Sequence, residues 1–418
     1  MEEPTAKIPF QVYLEDVEQE LSHILNFWML KSLDNVNGGF VAKMADNGTV
    51  DESAPKGSVL NARVLWSFSA AYLQASTAQY LMVADRAYNY IVGHFLDKAC
   101  GGVFWSVDAA GKPLDTRKQI YALAYMIYGL SEYYKATQKA QALQLCQQLF
   151  LWIEKFSLDP VQGGYLEAFS RDGQLLDDLR LSPKDRNNPK TMNTHLHVLE
   201  AYANLYRVWP DQHLRVQLKK LLIIFLKRIV NPSTSHLNLF FDRNWNSVAD
   251  MVSYGHDIEA SWLLVEAART LGEKELLDET ERVAVALANA STEGLQTDGS
   301  LYHEVDNESL HYDKHREWWV SAEAMVGFMN AFQITQDYKY LEYSWNAWQF
   351  AKKHLLDKEQ GEWYWGVNDD YSLMVSYDKI GFWKCPYHNT RACLEVLQRC
   401  RTLHEGEIVF NKNQITTN

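Results

Sequence analysis

The sequence predicts an all-α protein, an (α/α)6 barrel or toroid made of six helical hairpins. Two observations carry this prediction. A glycine-marked signature returns along the chain at a near-constant spacing, and segments with helical periodicity flank its copies. No stretch rich in proline, glycine and serine interrupts the chain, so residues 1–418 are expected to form a single domain.

The repeated signature reads Asp-x-x-x-Gly-Gly, followed by apolar or aromatic residues. It is complete from Asp34, Asp97 and Asp159, weakened from Asp357, and replaced by related turns at two further places. The positions that correspond to its first glycine are 38, 101, 163, 235, 299 and 361. Their spacing is 62 to 64 residues, except for one step of 72. Six copies at one period are typical of a repeat architecture.

Two helices are predicted around each signature. One helix of a pair is indicated by apolar periodicity over residues 119–134, 197–208, 258–271, 320–332 and 392–403. The other is indicated over residues 80–95, 140–156, 214–229, 274–290 and 338–354. Neither chain end carries an obvious polar capping repeat, which an open solenoid requires, so we expect the hairpins to close into a ring. The starts of the inner helices then surround one funnel.

The long step of the repeat reflects an extra polar segment at residues 170–190. Its prolines, Pro183 and Pro189, enclose a charged stretch that is typical of a loop. A lid loop over the funnel is the functional prediction for 170–190. An inert surface insertion is the alternative, and the sequence does not separate the two.

Composition limits the partners of the chain. The net charge of −13, without a basic stripe, argues against nucleic acid and anionic membranes as partners. The longest apolar run, residues 221–226, is too short to cross a bilayer. The five cysteines lack metal-type spacing, and the first residues lack an apolar leader, so a soluble cytoplasmic protein with reduced thiols is predicted. The 13% aromatic content suits sugar-stacking surfaces or aromatic-rich packing.

Polar and aromatic residues stand at all six predicted inner helix starts. A purely structural repeat would be expected to reuse one residue type, whereas these types differ from copy to copy, as the walls of a ligand site do. In chain order they are Asn61 and Arg63; Gln119 and Tyr121; Asn193, His195 and His197; Tyr254, His256 and Glu259; Glu317, Trp318 and Trp319; Tyr387 and His388. The sequence therefore predicts one ligand site at the centre of the ring.

The funnel residues fit proton transfer next to a carbonyl group. Two histidines from opposite parts of a ring allow one to remove a proton and the other to return it. The enediolate left by such a step needs a cation, which Arg63 supplies. Trp319 and Trp383 offer apolar plates for a sugar ring. The inferred reaction is proton transfer on an aldose.

No cofactor is predicted. The glycine pairs do not match the spacing of phosphate-binding loops. His195 and His197 are two residues apart and point in different directions on a helix. His256 and Glu259 share a helix face, so Glu259 either holds that histidine or exchanges a proton with a sugar hydroxyl. A metal at this pair is the alternative, although such sites need further carboxylate ligands.

Five stretches also carry a resemblance to a known family. They cover residues 61–72, 192–202, 254–263, 318–323 and 383–389 and occur in the family's order across nearly the whole chain. With them the chain resembles the N-acylglucosamine 2-epimerase superfamily. The Asn-Thr-His-Leu-His stretch at 193–197 is similar to the branch that epimerises disaccharides.

The resemblance implies an (α/α)6 barrel and a reaction without nucleotide or metal. The implied reaction is epimerisation at C2 of the reducing-end glucose of β-1,4-linked disaccharides, cellobiose to glucosyl-mannose and lactose to epilactose. The implied roles are acid and base for His256 and His388; contacts to substrate oxygens and the enediolate for His197 and Arg63; ring opening for Glu259; substrate binding for Tyr121 and Asn193; and sugar stacking for Trp319 and Trp383. The expected partner is a small-molecule disaccharide, with a monomer favoured.

Three other functions remain open at this point. A monosaccharide epimerase or an aldose–ketose isomerase of the same superfamily would share the chemistry and differ in its substrate pocket. A glycosidase or lyase on the same barrel would need two opposed carboxylates, where this funnel offers histidines. A non-enzymatic solenoid scaffold would turn over no sugar.

Overall fold

Helices dominate the structure, a computed structural model that describes residue 8 and residues 10–415, with side chains as far as residue 403. Twelve α-helices cross this part of the chain: α1 Phe10–Lys31, α2 Ser58–Ala75, α3 Ala78–Tyr90, α4 Ile120–Thr137, α5 Ala140–Phe156, α6 Met192–Val208, α7 Gln212–Ile224, α8 Tyr254–Leu271, α9 Lys274–Ser291, α10 Trp318–Thr335, α11 Tyr338–His354 and α12 Tyr387–Ile415. None of them is both long and apolar enough to cross a membrane.

The helices form two concentric rings. The even-numbered helices make the inner ring, in which each packs against the next and α12 packs against α2. The odd-numbered helices lie outside, where α1 packs against α12 and each of the others packs against the inner helix that precedes it. The predicted (α/α)6 toroid is therefore confirmed.

Burial distinguishes the two rings. Inner helix α4 is apolar on nearly every side, and every residue from Ile120 to Tyr133 is buried. Outer helix α9 instead buries one stripe, with Leu276, Thr280, Ala284 and Leu287 at helical spacing. The inner helices therefore carry the core, and their functional polar groups lie in the turns nearest their starts.

The repeated aspartate ties four of the outer helices to the segment before an inner helix. Asp34 accepts a hydrogen bond from Lys56 Nζ at 2.7 Å, and Asp97 accepts one from Lys118 Nζ at 2.9 Å. Lys190 with Asp159 and Lys379 with Asp357 repeat this contact. These lysines are buried, and most stand two residues before an inner helix. The signature thus holds the funnel end of the barrel in place.

Short antiparallel strands link neighbouring repeats at the funnel end. They are β1 Met44–Ala45, β2 Lys56–Gly57, β3 Ser106–Val107, β4 Pro113–Asp115, β5 Lys118–Gln119, β6 Ala168–Phe169, β7 Lys190–Thr191, β8 Phe240–Phe241, β9 Met251–Ser253, β10 Glu304–Asp306, β11 His311–Asp313, β12 Arg316–Glu317, β13 Gly366–Val367 and β14 Asp378–Ile380. The strand before an inner helix pairs with the loop of the next repeat, and β14 pairs with β1. The ring is therefore closed by strand pairing as well as by helix packing.

Some inner helices begin about one turn before the start that the sequence predicts. Helix α6 begins at residue 192 instead of 197, and α12 begins at 387 instead of 392. Polar residues that face the funnel occupy these first turns, so the apolar pattern starts one turn late. Helix α1 was not predicted, although it completes the outer ring. Two predicted helices end in π-helical segments, Ile91–Phe95 and Phe225–Ile229.

Candidate active site

The starts of the inner helices enclose a cavity of about 220 Å³, which shares part of its lining with a wider cavity of about 970 Å³. Of the residues at the predicted inner helix starts, Asn61, Gln119, His195, Tyr254 and Tyr387 do not line the smaller cavity, whereas every residue with a predicted catalytic or binding role does. The residues with such a role are Arg63, Tyr121, Asn193, His197, His256, Glu259, Trp319, Trp383 and His388. The structure therefore brings the predicted set together, while the chemical role of each residue stays a prediction.

Arg63 lies on α2, and its guanidinium is hydrogen-bonded to neutral groups. Its guanidinium donates to the hydroxyls of Tyr121 and Tyr125, both at 2.8 Å, and to the carbonyl oxygen of Trp383 at 3.2 Å. It also lies over the ring of Tyr125, 4.2 Å from the centroid. Within the described part of the chain it forms no ion pair with a carboxylate. Its positive charge is therefore available to an anion in the cavity.

His256 stands in the first turn of α8. Its Nδ1 lies 2.8 Å from Ser253 Oγ, and its ring centroid is 4.9 Å from that of Trp319. Burial, together with the nearby His197, lowers the pKa of His256 to about 3, so the ring is neutral at neutral pH. Glu259 does not hold this histidine, which corrects one of the two roles predicted for it. The serine before α8 does so instead.

His388 stands in the first turn of α12, after Pro386. Its Nδ1 donates to Glu323 Oε1 at 2.7 Å, which leaves Nε2 as the free nitrogen of the ring. Burial, assisted by the charges of Arg63 and Arg391, lowers the pKa of His388 well below its ordinary value. A neutral imidazole with a free Nε2 can accept a proton.

Arg391 lies beneath the two histidines as the centre of a buried charge cluster. It donates to Glu259 at 2.7 Å, to Glu323 at 2.6 Å and to Glu200. Burial and the neighbouring Glu323 raise the pKa of Glu259 to about 8. Although burial opposes it, Arg391 lowers the pKa of Glu200 to about 2. Glu259 therefore keeps its proton at neutral pH, whereas Glu200 is ionised.

His197 and Asn193 belong to the first turns of α6. His197 Nδ1 lies 3.0 Å from Glu200 Oε2, and burial lowers the pKa of the ring. Asn193 Oδ1 is buried and has no hydrogen-bond partner among the described residues, so it is an acceptor ready for a ligand hydroxyl. His195 points elsewhere, because its two nitrogens contact Thr191 O and Tyr165 N. The expected divergence of His195 and His197 is thus observed.

Among the residues that the structure describes, two groups of side chains have the composition of metal ligands, and neither is the His256–Glu259 pair that the sequence allowed. Glu259, Glu323 and His388 form one group, in which Arg391 already occupies both carboxylates. His303, His315 and Glu317 form the other. Their two imidazoles stack at 4.6 Å with planes 24° apart, and an ion cannot lie in both ring planes. Neither group fits a metal in this arrangement.

The segment at 170–190 reaches the site. Residues 170–189 contain no helix or strand, and Leu181, Ser182 and Asp185 line the smaller cavity. The segment is anchored by Gln119, whose side-chain amide donates to Arg180 O at 2.9 Å. This position is the one that a lid would take, and the lid itself stays a prediction.

Sequence reasoning missed the charged residues one turn below the cavity. Each follows a funnel residue by three or four positions on the same helix face. The pairs are His197 with Glu200, Trp319 with Glu323 and His388 with Arg391. A charged residue recurring at this spacing, in helices that are otherwise apolar, is the signal that could have found them.

The closed helical barrel and its histidine-lined central cavity define an enzyme of the (α/α)6-barrel class. The model of the N-acylglucosamine 2-epimerase (GlcNAc 2-epimerase) family matches residues 38–392. A cellobiose 2-epimerase of Bacteroides fragilis is 47% identical over 93% of this chain and 99% of its own length. A cellobiose 2-epimerase of Dictyoglomus turgidum is 40% identical over 90% and 95%.

Solved structures agree with these relatives. The structure of cellobiose 2-epimerase from Bacillus thermoamylovorans B4167 has a TM-score of 0.89 at 38% identity, covering 93% of this chain and 100% of that one. The chain belongs to the N-acylglucosamine 2-epimerase family. It is an enzyme of the carbohydrate epimerase and isomerase class, as the sequence predicted.

Proposed function

We propose that the chain epimerises C2 of the reducing-end glucose of β-1,4-linked disaccharides without a cofactor, cellobiose to glucosyl-mannose and lactose to epilactose. One observation carries the proposal. Two neutral histidines, His256 and His388, are each held at Nδ1 by a separate partner and line one cavity with Arg63. The relatives named as cellobiose 2-epimerases support the choice of cellobiose.

Ring opening needs one group that takes the proton of the anomeric hydroxyl and one that gives a proton to the ring oxygen. Glu259 lines the cavity and holds a proton at neutral pH, so it serves as the acid. A neutral histidine takes the hydroxyl proton and becomes an imidazolium. The aldehyde formed makes the hydrogen on C2 acidic.

Epimerisation then uses both histidines. The histidine that is still neutral removes the proton from C2, and Arg63 binds the enediolate that forms. Rotation about C2–C3 turns the other face of C2 toward the imidazolium, which returns a proton there. In ring closure the ring hydroxyl returns its proton to Glu259, and the second imidazolium protonates the anomeric oxygen. All three groups end the cycle in the protonation state in which they began it.

The shape of the two cavities favours a disaccharide over a monosaccharide. The smaller cavity holds the reacting groups, and Trp383 and Trp365 line both cavities. A second sugar ring therefore has room beyond the reacting ring, against aromatic surfaces. A glycosidase is not supported, since it needs two free, opposed carboxylates, and two of the three acidic residues in the smaller cavity are engaged, Glu259 by Arg391 and Glu317 by His315.

Incubation with cellobiose in deuterated water, followed by proton NMR, tests the proposal. We expect the mannose epimer to appear with deuterium at C2. The single variants His256→Asn and His388→Asn are expected to lose at least ~100-fold in kcat, while the exposed His311→Asn serves as the control. Formation of a ketose would assign an aldose–ketose isomerase. Release of glucose, or unchanged cellobiose, would contradict the proposal.

A further inference from the structure

A row of charged side chains leads from the funnel rim to two tryptophans of the site. Asp313 bonds to Nδ1 of His315, whose Nε2 lies 3.1 Å from Glu317 Oε1. Glu317 in turn accepts the indole N–H of Trp319 at 2.5 Å and that of Trp365 at 2.9 Å. Both nitrogens of His315 therefore face carboxylates, and both oxygens of Glu317 face indoles.

The two indoles stand at different depths of the site. Trp319 lies between the proposed catalytic residues, with its ring centroid 4.9 Å from that of His256 and 5.8 Å from that of His388. Trp365 lines both the smaller and the wider cavity. One carboxylate thus fixes a ring beside the reacting sugar and a ring at the passage to the second sugar.

We infer that Glu317, held by His315, is a positioning residue that sets the orientation of both indoles for the disaccharide. The inference rests on the proposed function, because it takes Trp319 and Trp365 as surfaces for sugar rings. It assigns the Asp313–His315–Glu317 row a role in substrate binding, without contact to the reacting atoms.

Packing alone does not require a charged side chain at position 317. Glu317 is 8% exposed, and an ionised carboxylate so deeply buried is costly unless it is paired and hydrogen-bonded. A neutral acceptor would satisfy an indole N–H, whereas a carboxylate makes shorter and stronger hydrogen bonds and orients two donors at once. His315 compensates the charge. Asp313 ends the β10–β11 hairpin and His315 lies between β11 and β12, so the strands at the rim of the funnel support the row.

Indole N–H signals in ¹H–¹⁵N spectra test the inference without any turnover. The signals of Trp319 and Trp365 are assigned from their loss in Trp319→Phe and Trp365→Phe. In Glu317→Gln we expect both signals to shift and their exchange with solvent to speed up by ~10-fold or more, as a lost charge-assisted hydrogen bond implies. The other indole signals stay in place if the variant is folded. Unmoved signals would overturn the inference.

Steady-state kinetics on cellobiose provide a second test of the inference. Glu317→Gln and His315→Gln are each expected to raise KM by ~10-fold with kcat within about threefold, since a surface that contacts the sugar throughout contributes uniform binding. The double variant should match Glu317→Gln alone, and His311→Gln, at an exposed position of the β10–β11 hairpin, should match the wild type. If the KM increases of the two single variants multiplied in the double variant, the inference would be overturned. A wild type inactive on cellobiose would refute the proposed function and leave the spectroscopic result standing.

Discussion

His388 Nδ1 and Glu323 Oε1 are 2.7 Å apart, and the same oxygen lies 2.6 Å from the Arg391 guanidinium. One carboxylate oxygen therefore orients the proposed base and anchors it to a buried cation. The contact fixes the tautomer of His388, because an N–H at Nδ1 leaves the lone pair on Nε2. We therefore expect Glu323 to act on catalysis through His388.

Glu323→Gln should lower kcat by ~100-fold with little change in KM. An amide oxygen can still accept from Nδ1–H, but the negative charge that stabilises the imidazolium during turnover is lost. Steady-state kinetics on cellobiose measure the effect. Glu154→Gln is the matched control, since Glu154 is a largely buried carboxylate between Tyr165 and Tyr202, away from the cavity. A rise in KM alone would contradict this account of Glu323.

Activity should fall above about pH 8 as Glu259 loses its proton. Burial and Glu323 raise the pKa of Glu259 from 4.5 to about 8, so the acid form needed for ring opening is present below that pH and lost above it. The pH profile of kcat/KM for cellobiose should show this alkaline limb. In Glu259→Gln we expect lower activity throughout and no such limb, because the amide does not titrate. A limb that persists in this variant would assign it to another group.

Arg63→Lys should lower kcat/KM by ~100-fold or more. Lysine keeps the charge but loses the fork that donates to Tyr121 and Tyr125 at once, so the cation is no longer fixed toward the cavity. Deuterium exchange at C2 reports enediolate formation directly and should fall in parallel. Arg215→Lys, whose guanidinium pairs with Glu273 outside the cavity, is the control. Exchange at the wild-type rate would show that Arg63 does not stabilise the enediolate.

The ring of helices and the residues that line its cavity were predictable from the sequence. The hydrogen-bond partners of those lining residues were not. The lining residues were predictable because polar residues precede an apolar period, although that period begins one turn after the starts of α6 and α12. The partners were not, because they depend on which helices are neighbours. Arg391 on α12 meets Glu259 from α8 and Glu323 from α10, more than sixty residues away in each case. The role of Ser253 was hidden for a different reason, since a serine before a helix is ordinarily read as a cap.

Gly129→Ala should destabilise the barrel and disturb the site together. A Cβ on Gly129 would lie 2.6 Å from the carbonyl oxygen of Ala62, so α4 and α2 would have to separate. Such overpacking costs about 1–3 kcal/mol in unfolding free energy. Arg63 follows Ala62 on α2 and bonds to Tyr121 on α4, so kcat/KM should fall as well. Urea unfolding and cellobiose kinetics measure the two effects. Gly93→Ala is the control, because its added Cβ meets no atom within 4 Å. Equal stability of the two variants would show that α2 and α4 adjust to the added methyl group without strain.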